Sequence, residues 1–332
     1  MKNRRWLING RPIGRQLAAT DFKWSVGEVP APGEGEVLVR NLYLSMSPAS
    51  KGAMENVGDY RAPTEIGEVM RAEAVAEVVE SKAPGLAPGD KVIGPFGWQD
   101  YAVAAAPLVT KIPDDEFLTA RLGATGITGL TGYFGMQRVA KPFPGDTVVI
   151  TGAGGATGTV AGQIARIAGC RVIGVTGGEA KCKALVDDLG FDAAVDYKAG
   201  DVLEQVKALT PDGIDVLWDN AGGPVLNDLL SHIALHARVV ICGGTSRYDT
   251  DEKVPGPENY FNLVFKRASM TGFLIYDYLA EFPQGRARLE GWIRQGLLRP
   301  KESIREGLEN APDTLFGIFQ GANLGKQLVK VA

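Results

Sequence analysis

A glycine-rich turn in the middle of the chain constrains the fold more than any other feature. The β-branched run Thr147-Val148-Val149-Ile150-Thr151 leads straight into Gly152-Ala153-Gly154-Gly155-Ala156-Thr157-Gly158, and Val160, Ile164 and Ile167 then recur at helical spacing. A strand over 147–151 that turns through glycines into a helix over 157–168 has the form of a βαβ unit. There the helix N-terminus offers free N–H groups and partial positive charge to a phosphate, and side chains in the turn would block its approach. The spacing is G-x-x-G-x-x-G rather than G-x-G-x-x-G. Strands over 171–176, 193–196, 214–220 and 238–242 follow, with a helix over 179–188 and helix-length intervals between the others. This alternation predicts a doubly wound parallel α/β sheet that binds a dinucleotide through Gly152, Gly155, Ala156, Thr157 and Gly158.

The chain ahead of the turn has a different texture. Between residues 36 and 109 the apolar runs are short and β-rich, and Pro32-Gly33, Pro84-Gly85 and Pro88-Gly89-Asp90 punctuate them as turns. Beyond the parallel sheet come a β-rich stretch over 268–276, a helix over 287–295 and a short apolar run over 327–331 that returns to the β-rich part. A chain of 332 residues exceeds what one core usually supports, so two domains with a cleft between them are expected.

Composition narrows the function. The formal charge of −4 and a pI near 5.5 give no general attraction to nucleic acid or an anionic membrane. No run of about 18 apolar residues is present to span a bilayer, and Trp6-Leu7-Ile8 is too short for a secretory core. Cys170, Cys182 and Cys242 are widely separated, which disfavours a disulfide framework and fits a reducing cytoplasm. His232 and His236 lie four apart on a predicted helix without the glutamate of an HExxH motif, so no metal is expected. Small-molecule chemistry with a dinucleotide remains.

The strand over 171–176 selects between the two nicotinamide cofactors. An acid at its tip would bind the ribose diol and repel a 2′-phosphate. Here the tip reads Val175-Thr176-Gly177-Gly178; Glu179 lies beyond it, and Lys181 follows within reach of a phosphate. NADPH is the expected cofactor.

Five further segments carry a family resemblance: Gly67-Glu68-Val69-Met70-Arg71, Phe96-Gly97-Trp98-Gln99, Gly129-Leu130-Thr131 with Tyr133-Phe134-Gly135, Asp219-Asn220-Ala221-Gly222-Gly223, and Asn323-Leu324-Gly325-Lys326. With these the chain resembles the medium-chain dehydrogenase/reductases over nearly its whole length. Within them it is most similar to the zinc-free, NADPH-dependent alkenal/enone reductase group, which includes the prostaglandin and curcumin reductases. The resemblance implies a GroES-like β-rich catalytic domain over 1–126 and 300–332, clasping a Rossmann domain over 127–299. It also implies a homodimer paired through the stretch at 268–276.

By the same resemblance Lys181 matches the lysine that holds the 2′-phosphate, and Tyr197 a tyrosine near it. Asn220, Cys242 and Gly243 match positions around the ribose and nicotinamide, and Phe273 and Asn323 the nicotinamide end. Thr131, Gly177 and Tyr248 complete the expected cofactor set. The implied reaction is hydride addition to the carbon–carbon double bond of an α,β-unsaturated aldehyde or ketone. Its enolate charge would be stabilised by a ribose hydroxyl or by a tyrosine, Tyr260 and Tyr60 being the candidates.

The chain departs from relatives at Ser47-Pro48-Ala49-Ser50-Lys51, where they carry Asp-Pro-Tyr-Met-Arg at a substrate-facing loop, and at Phe265, where some carry tyrosine. A quinone oxidoreductase on the same fold and a non-catalytic NADPH-binding protein are the competing readings. A short-chain dehydrogenase is disfavoured, because no tyrosine has a lysine four residues later.

Overall fold

The computed structural model describes residues 1–55 and 64–332. An antiparallel ribbon opens the chain, β1 (Lys2–Ile8) against β2 (Phe22–Glu28), with Trp6 facing Trp24 in register. Sequence patterning does not announce this ribbon, because charged residues break up its apolar ones. The β-rich region supplies β3 (Glu36–Ser45), helix α1 (Ala49–Glu55), β4 (Ala74–Ser81), β5 (Lys91–Gly94), β6 (Tyr101–Ala105) and β7 (Thr110–Lys111).

After α2 (Ile127–Phe134) the alternating part begins with β8 (Thr147–Thr151), α3 (Ala156–Ile167), β9 (Arg171–Thr176), α4 (Glu179–Asp187) and β10 (Ala193–Asp196). It continues with α5 (Val202–Leu209), β11 (Ile214–Asp219), α6 (Gly223–Leu229), β12 (Ile233–Ile241), α7 (Asn262–Lys266), β13 (Ser269–Gly272) and α8 (Phe282–Arg294). The chain ends in β14 (Glu302–Glu306), α9 (Ala311–Phe319) and β15 (Lys326–Lys330).

Strands β8 to β13 form a six-stranded, all-parallel sheet in the order β10-β9-β8-β11-β12-β13. Central β8 is buried on both faces, as the unbroken run Val148-Val149-Ile150 requires. Val148 and Ile150 pack with Leu130, Phe134, Ile164 and Leu289 on one face, while Val149 joins Leu217, Val206 and Leu229 on the other. The second large sheet is seven-stranded. Its order is β14-β15-β3-β4-β5-β7, with β6 also on β3, so the two carboxyl-terminal strands complete the amino-terminal sheet. Leu308, Ala311, Leu315 and Val329 share one core with Val37, Val39, Ala74, Val78 and Val92.

The structure corrects three local expectations. The stretch at 268–276 is a strand only to Gly272; after Phe273 and Leu274 it becomes a 3₁₀ turn, Ile275–Glu281. The last long helix starts earlier than its apolar spacing suggests, at Phe282, because Pro283 suits a first helical turn. His232 and His236 do not share a helix: His232 ends a 3₁₀ turn, and His236 sits on β12 with a left-handed φ of 63°. Among the described residues no helix is long and apolar enough to cross a membrane.

The shared core makes a stability prediction. Leu315 is fully buried against the amino-terminal sheet, so Leu315→Ala is expected to cost about 2–5 kcal/mol. A denaturant titration followed by tryptophan fluorescence should show the loss; a change under 0.5 kcal/mol would contradict the shared core.

Candidate active site

The parallel sheet has a topological switch point. From β8 the chain builds outward through β9 and β10, then crosses back to place β11, β12 and β13 on the other side. Loops leaving the carboxyl ends of β8 and β11 therefore diverge, and a crevice opens between them. Gly152 turns the chain off β8 with φ 59°, and a Cβ there would lie 3.2 Å from Asn220 Cβ. A Cβ at Gly158 would come within 2.5 Å of the Gly152 carbonyl oxygen, so α3 can pack this close only with glycine.

Gly155 is the N-cap of α3 and offers no side-chain cap. The first-turn N–H groups of Ala156, Thr157 and Gly158 thus lack both a capping side chain and an intrahelical carbonyl. Gly154, which the motif spacing passes over, lies against the next strand: a Cβ there would sit 2.6 Å from Thr176 Oγ1 and 3.3 Å from Lys181 Cδ.

Asp219 and Asn220 make the crevice floor. Asp219 is fully buried; its carboxylate accepts from Thr151 Oγ1 at 2.6 Å and from the Gly222 N–H at 2.9 Å. Burial pushes its pKa up against these bonds, which favour the ionised form. Asn220 Nδ2 donates to the Thr151 carbonyl at 2.7 Å, and its Oδ1 accepts from Trp218 Nε1 at 3.2 Å. Sequence reasoning assigned Asn220 to the cofactor but passed over Asp219, although an acid at a strand end beside paired glycines is the signal for it.

At the tip of β9 a Cβ on Gly177 would meet the Tyr197 hydroxyl at 2.7 Å, so glycine admits the ring. Lys181 is half-buried, and its Nζ donates to the Gly321 carbonyl at 2.5 Å, across from the carboxyl-terminal segment. Burial, then the charge of Lys198, lowers its pKa. Asp196, at the end of β10, is occupied: it accepts from the Gly178 and Lys198 N–H groups, which hold its carboxyl below the usual range. Sequence reasoning named Lys181 and Tyr197 and did not name Lys198, the residue after Tyr197, whose charge acts on Lys181.

The carboxyl-terminal segment closes the crevice from the other side. Gly325 N–H donates to the Gly154 carbonyl at 2.8 Å, and Asn323 Nδ2 holds the Gly325 carbonyl at 2.7 Å. Lys326 is buried next to this seam with Nζ donating to the Met46 carbonyl at 2.9 Å. Burial pulls its pKa down to about 8, against the charges of Glu73 and Glu302. Partial burial pushes the Glu302 carboxyl up.

The remaining candidates occupy the deeper end and the rim. Thr131, on α2, bonds its hydroxyl back to the Ile127 carbonyl at 2.7 Å. Cys242 and Gly243 follow β12 and donate their N–H groups to the Asp219 carbonyl; burial first, then Asp219, pushes the Cys242 thiol up to about 12. Tyr248 Oη accepts from the Gly244 N–H at 3.0 Å. Phe273 stands edge-on to Trp218 with ring centroids 6.0 Å apart. Tyr260 is 59% exposed, on a 3₁₀ turn that precedes α7 rather than on that helix, so the structure does not bring it onto the crevice floor with Asn220. Tyr60 lies outside the described residues. Among those residues no three His, Cys, Asp or Glu side chains are grouped to hold a metal; His232 Nε2 lies on the Thr210 carbonyl at 2.8 Å.

Comparison with known proteins accords with this geometry. A family described as the N-terminal domain of oxidoreductase matches residues 4–112, and one described as zinc-binding dehydrogenase matches residues 156–290. The NADPH-dependent curcumin reductase of Escherichia coli K12 is 37% identical over 337 residues, covering 100% of this chain and 97% of that protein. The NADP(+)-dependent 2-alkenal reductase of Nicotiana tabacum is 36% identical, covering 90% and 88%. The crystal structure of CurA from Vibrio vulnificus in complex with NADPH superposes with a TM-score of 0.93 at 35% identity, covering 99% of both chains. The chain belongs to the medium-chain dehydrogenase/reductase family of oxidoreductases, in the group of the curcumin, 2-alkenal and prostaglandin reductases.

The seam at Gly325 can be tested directly. Its φ is 70°, and a Cβ would lie 1.9 Å from the Lys301 carbonyl oxygen. Gly325→Ala is therefore expected to cost at least about 2 kcal/mol and to weaken dinucleotide binding with it. Thermal melting and titration with a reduced nicotinamide dinucleotide should fall together; unchanged affinity would detach the seam from the crevice.

Proposed function

We propose that the protein reduces the carbon–carbon double bond of α,β-unsaturated aldehydes or ketones with NADPH, without a metal. The observation that carries the reading is the near full-length likeness to NADPH-dependent reductases, joined to a crevice in which no acid ends β9 and Lys181 stands in the first turn of α4. The residues fit the cofactor: a Cβ at Gly158 would strike the Gly152 carbonyl and push α3 away from the turn, and one at Gly154 would press on Thr176 and Lys181. Two ammonium groups, Lys181 and Lys198, repel each other where a 2′-phosphate would bind.

In this reading Ala156, Thr157 and Gly158 hold the pyrophosphate on the α3 N-terminus, with Gly152 and Gly155 leaving room for it. Lys181 and Tyr197, beside Gly177, take the 2′-phosphate. Asn220, Cys242, Gly243 and Tyr248 line the ribose and nicotinamide path, with Thr131, Phe273 and Asn323 at its far end. NADPH bound there supplies the hydride that adds to the β carbon. The chain then has to bind the substrate carbonyl, exclude water and hold the developing enolate charge. Tyr260 and Tyr60 are the proposed donors, beside a ribose hydroxyl; the exposure of Tyr260 makes it a rim donor rather than a buried one. Metal-free chemistry is supported by the two histidines and three dispersed cysteines.

We also propose that the catalytic domain comprises 1–126 and 300–332 around a nucleotide domain over 127–299, and that the protein is a cytoplasmic homodimer. The dimer reading is supported by β13, the last strand of its sheet. Phe261, Val264, Phe265 and Leu279 lie exposed on the segments flanking it, and unpaired edges attract partners.

Lys181→Ala is expected to weaken NADPH by roughly 10- to 150-fold and barely affect NADH. Equal losses in fluorescence titrations with the two cofactors would make the lysine structural. The reaction is tested by incubating the protein and NADPH with enals, enones, quinones and saturated aldehydes, and identifying the products by mass and proton spectra. Saturation of the alkene with the carbonyl intact is expected. Carbonyl reduction, or turnover of quinones alone, would overturn the proposed chemistry.

A further inference from the structure

We infer that Asp249 is a latch: it fastens the loop carrying Cys242, Gly243 and Tyr248 to the opposite wall of the cleft and sets the rate at which the cofactor leaves. The inference rests on reading the crevice as the cofactor site.

The loop is anchored at both ends. Behind it, the Cys242 and Gly243 N–H groups donate to the Asp219 carbonyl, and Thr245 and Ser246 N–H donate to the carbonyls of Asn220 and Ala221, each at 3.0 Å. Ahead, Asp249 Oδ1 accepts from the Leu17 N–H at 2.8 Å, and Lys51 Nζ lies 3.8 Å from the same oxygen. Lys51 is a buried cation, its side chain 3% exposed, and it also donates to Glu55 at 2.7 Å. One ammonium group therefore stands between a carboxylate of its own helix and one brought by the loop.

The wall that receives Asp249 is firm. Leu17 packs on the amino-terminal core, the next residue donates its N–H to Asp21 at 2.9 Å, and Arg15 pairs with Asp21. Arg11 donates to the Met54 carbonyl at 2.9 Å and fixes the end of α1.

The latch differs from the contacts at the Gly154–Gly325 side of the cleft. The Gly154–Gly325 seam is backbone to backbone, and Lys181 reaches a carbonyl near the same segment. Asp249 binds through a side chain at the rim, beside a cavity of about 340 Å³ bordered by Leu17, Phe316 and Phe319. Asp249 itself borders that cavity, so open space adjoins the carboxylate. Lys51 also ends the segment Ser47-Pro48-Ala49-Ser50-Lys51, so the latch links the loop over the cofactor to the chain stretch where this sequence departs from its relatives.

The test is stopped-flow measurement of NADPH dissociation from the full-length protein, read by loss of bound-cofactor fluorescence when excess NADP+ is added. Asp249→Ala is expected to raise the dissociation rate roughly 5- to 50-fold, with the association rate changed by less than about 3-fold. Asp249→Asn keeps the shape and can still accept from Leu17, so it should raise the rate by only about 3- to 10-fold. It carries the test if the alanine variant loses its fold. Lys51→Gln in the Asp249→Ala background should add little, because its partner across the cleft is already gone. An unchanged dissociation rate in a folded variant, or an effect of Lys51→Gln as large after Asp249→Ala as before it, would overturn the latch. Wild-type protein that binds no NADPH would instead overturn the cofactor reading, and the latch with it.

Discussion

The hydrogen bond from the Thr151 hydroxyl to the buried Asp219 carboxylate, 2.6 Å long, holds the ends of two adjacent strands at the point where the sheet reverses its build direction. Thr151 closes β8 and Asp219 closes β11. The same hydroxyl accepts from the Asn220 N–H at 2.9 Å, and the same carboxylate takes the Gly222 N–H. The ends of β8 and β11 and the approach to α6 are positioned by this one pair, and the Asp219 main-chain carbonyl holds the Cys242 and Gly243 N–H groups after β12. Burial opposes the charge on Asp219, and the donors turned toward it are what make a carboxylate tolerable there. The geometry of Gly152 and of the loop after Cys242 follows from it.

Around that fixed floor the walls are joined unequally. The Gly154–Gly325 seam uses main-chain atoms and is backed by Lys326, an ammonium buried deeply enough to pull its pKa to about 8. Lys326 is held to the Met46 carbonyl within the same wall and so keeps Gly325 in place to meet Gly154. At the other rim the Asp249 side chain meets the Leu17 N–H and Lys51. A cleft stiff at one edge and releasable at the other suits an enzyme that must exchange a large cofactor.

Much of this was legible in the sequence because its signals are local. The run Val148-Val149-Ile150 followed by glycines marks a buried strand meeting a helix, and the bounds expected for β8, β9 and β10 agree with those observed. The NADPH expectation was legible because the acid-free tip of β9 is read from adjacent residues. What was missed depends on contacts distant in sequence. Ribbon β1–β2 is stabilised by the meeting of Trp6 and Trp24, which no short window shows. Ser269–Gly272 was overextended because β propensity continues through Phe273 to Tyr276, whereas the chain there turns to pack Phe273 on Trp218. Asp219 and Lys198 were overlooked because each is given meaning by a partner, Thr151 or Lys181, that lies elsewhere in the chain.

Strand β15 lies between β14 and β3, pairing Leu328 with Ser45 and Val329 with Leu44. As the chain is synthesised, everything in the six-stranded parallel sheet emerges before β15 and can assemble from its own neighbours. The amino-terminal sheet cannot. Strand β6 covers β3 over residues 36–40, but Tyr43, Leu44 and Ser45 wait for β15, a closure of high contact order. During that interval this short end of β3 is open to pairing with other chains. The nascent protein is therefore most exposed to misassociation after its nucleotide-binding sheet has formed and before its cleft exists.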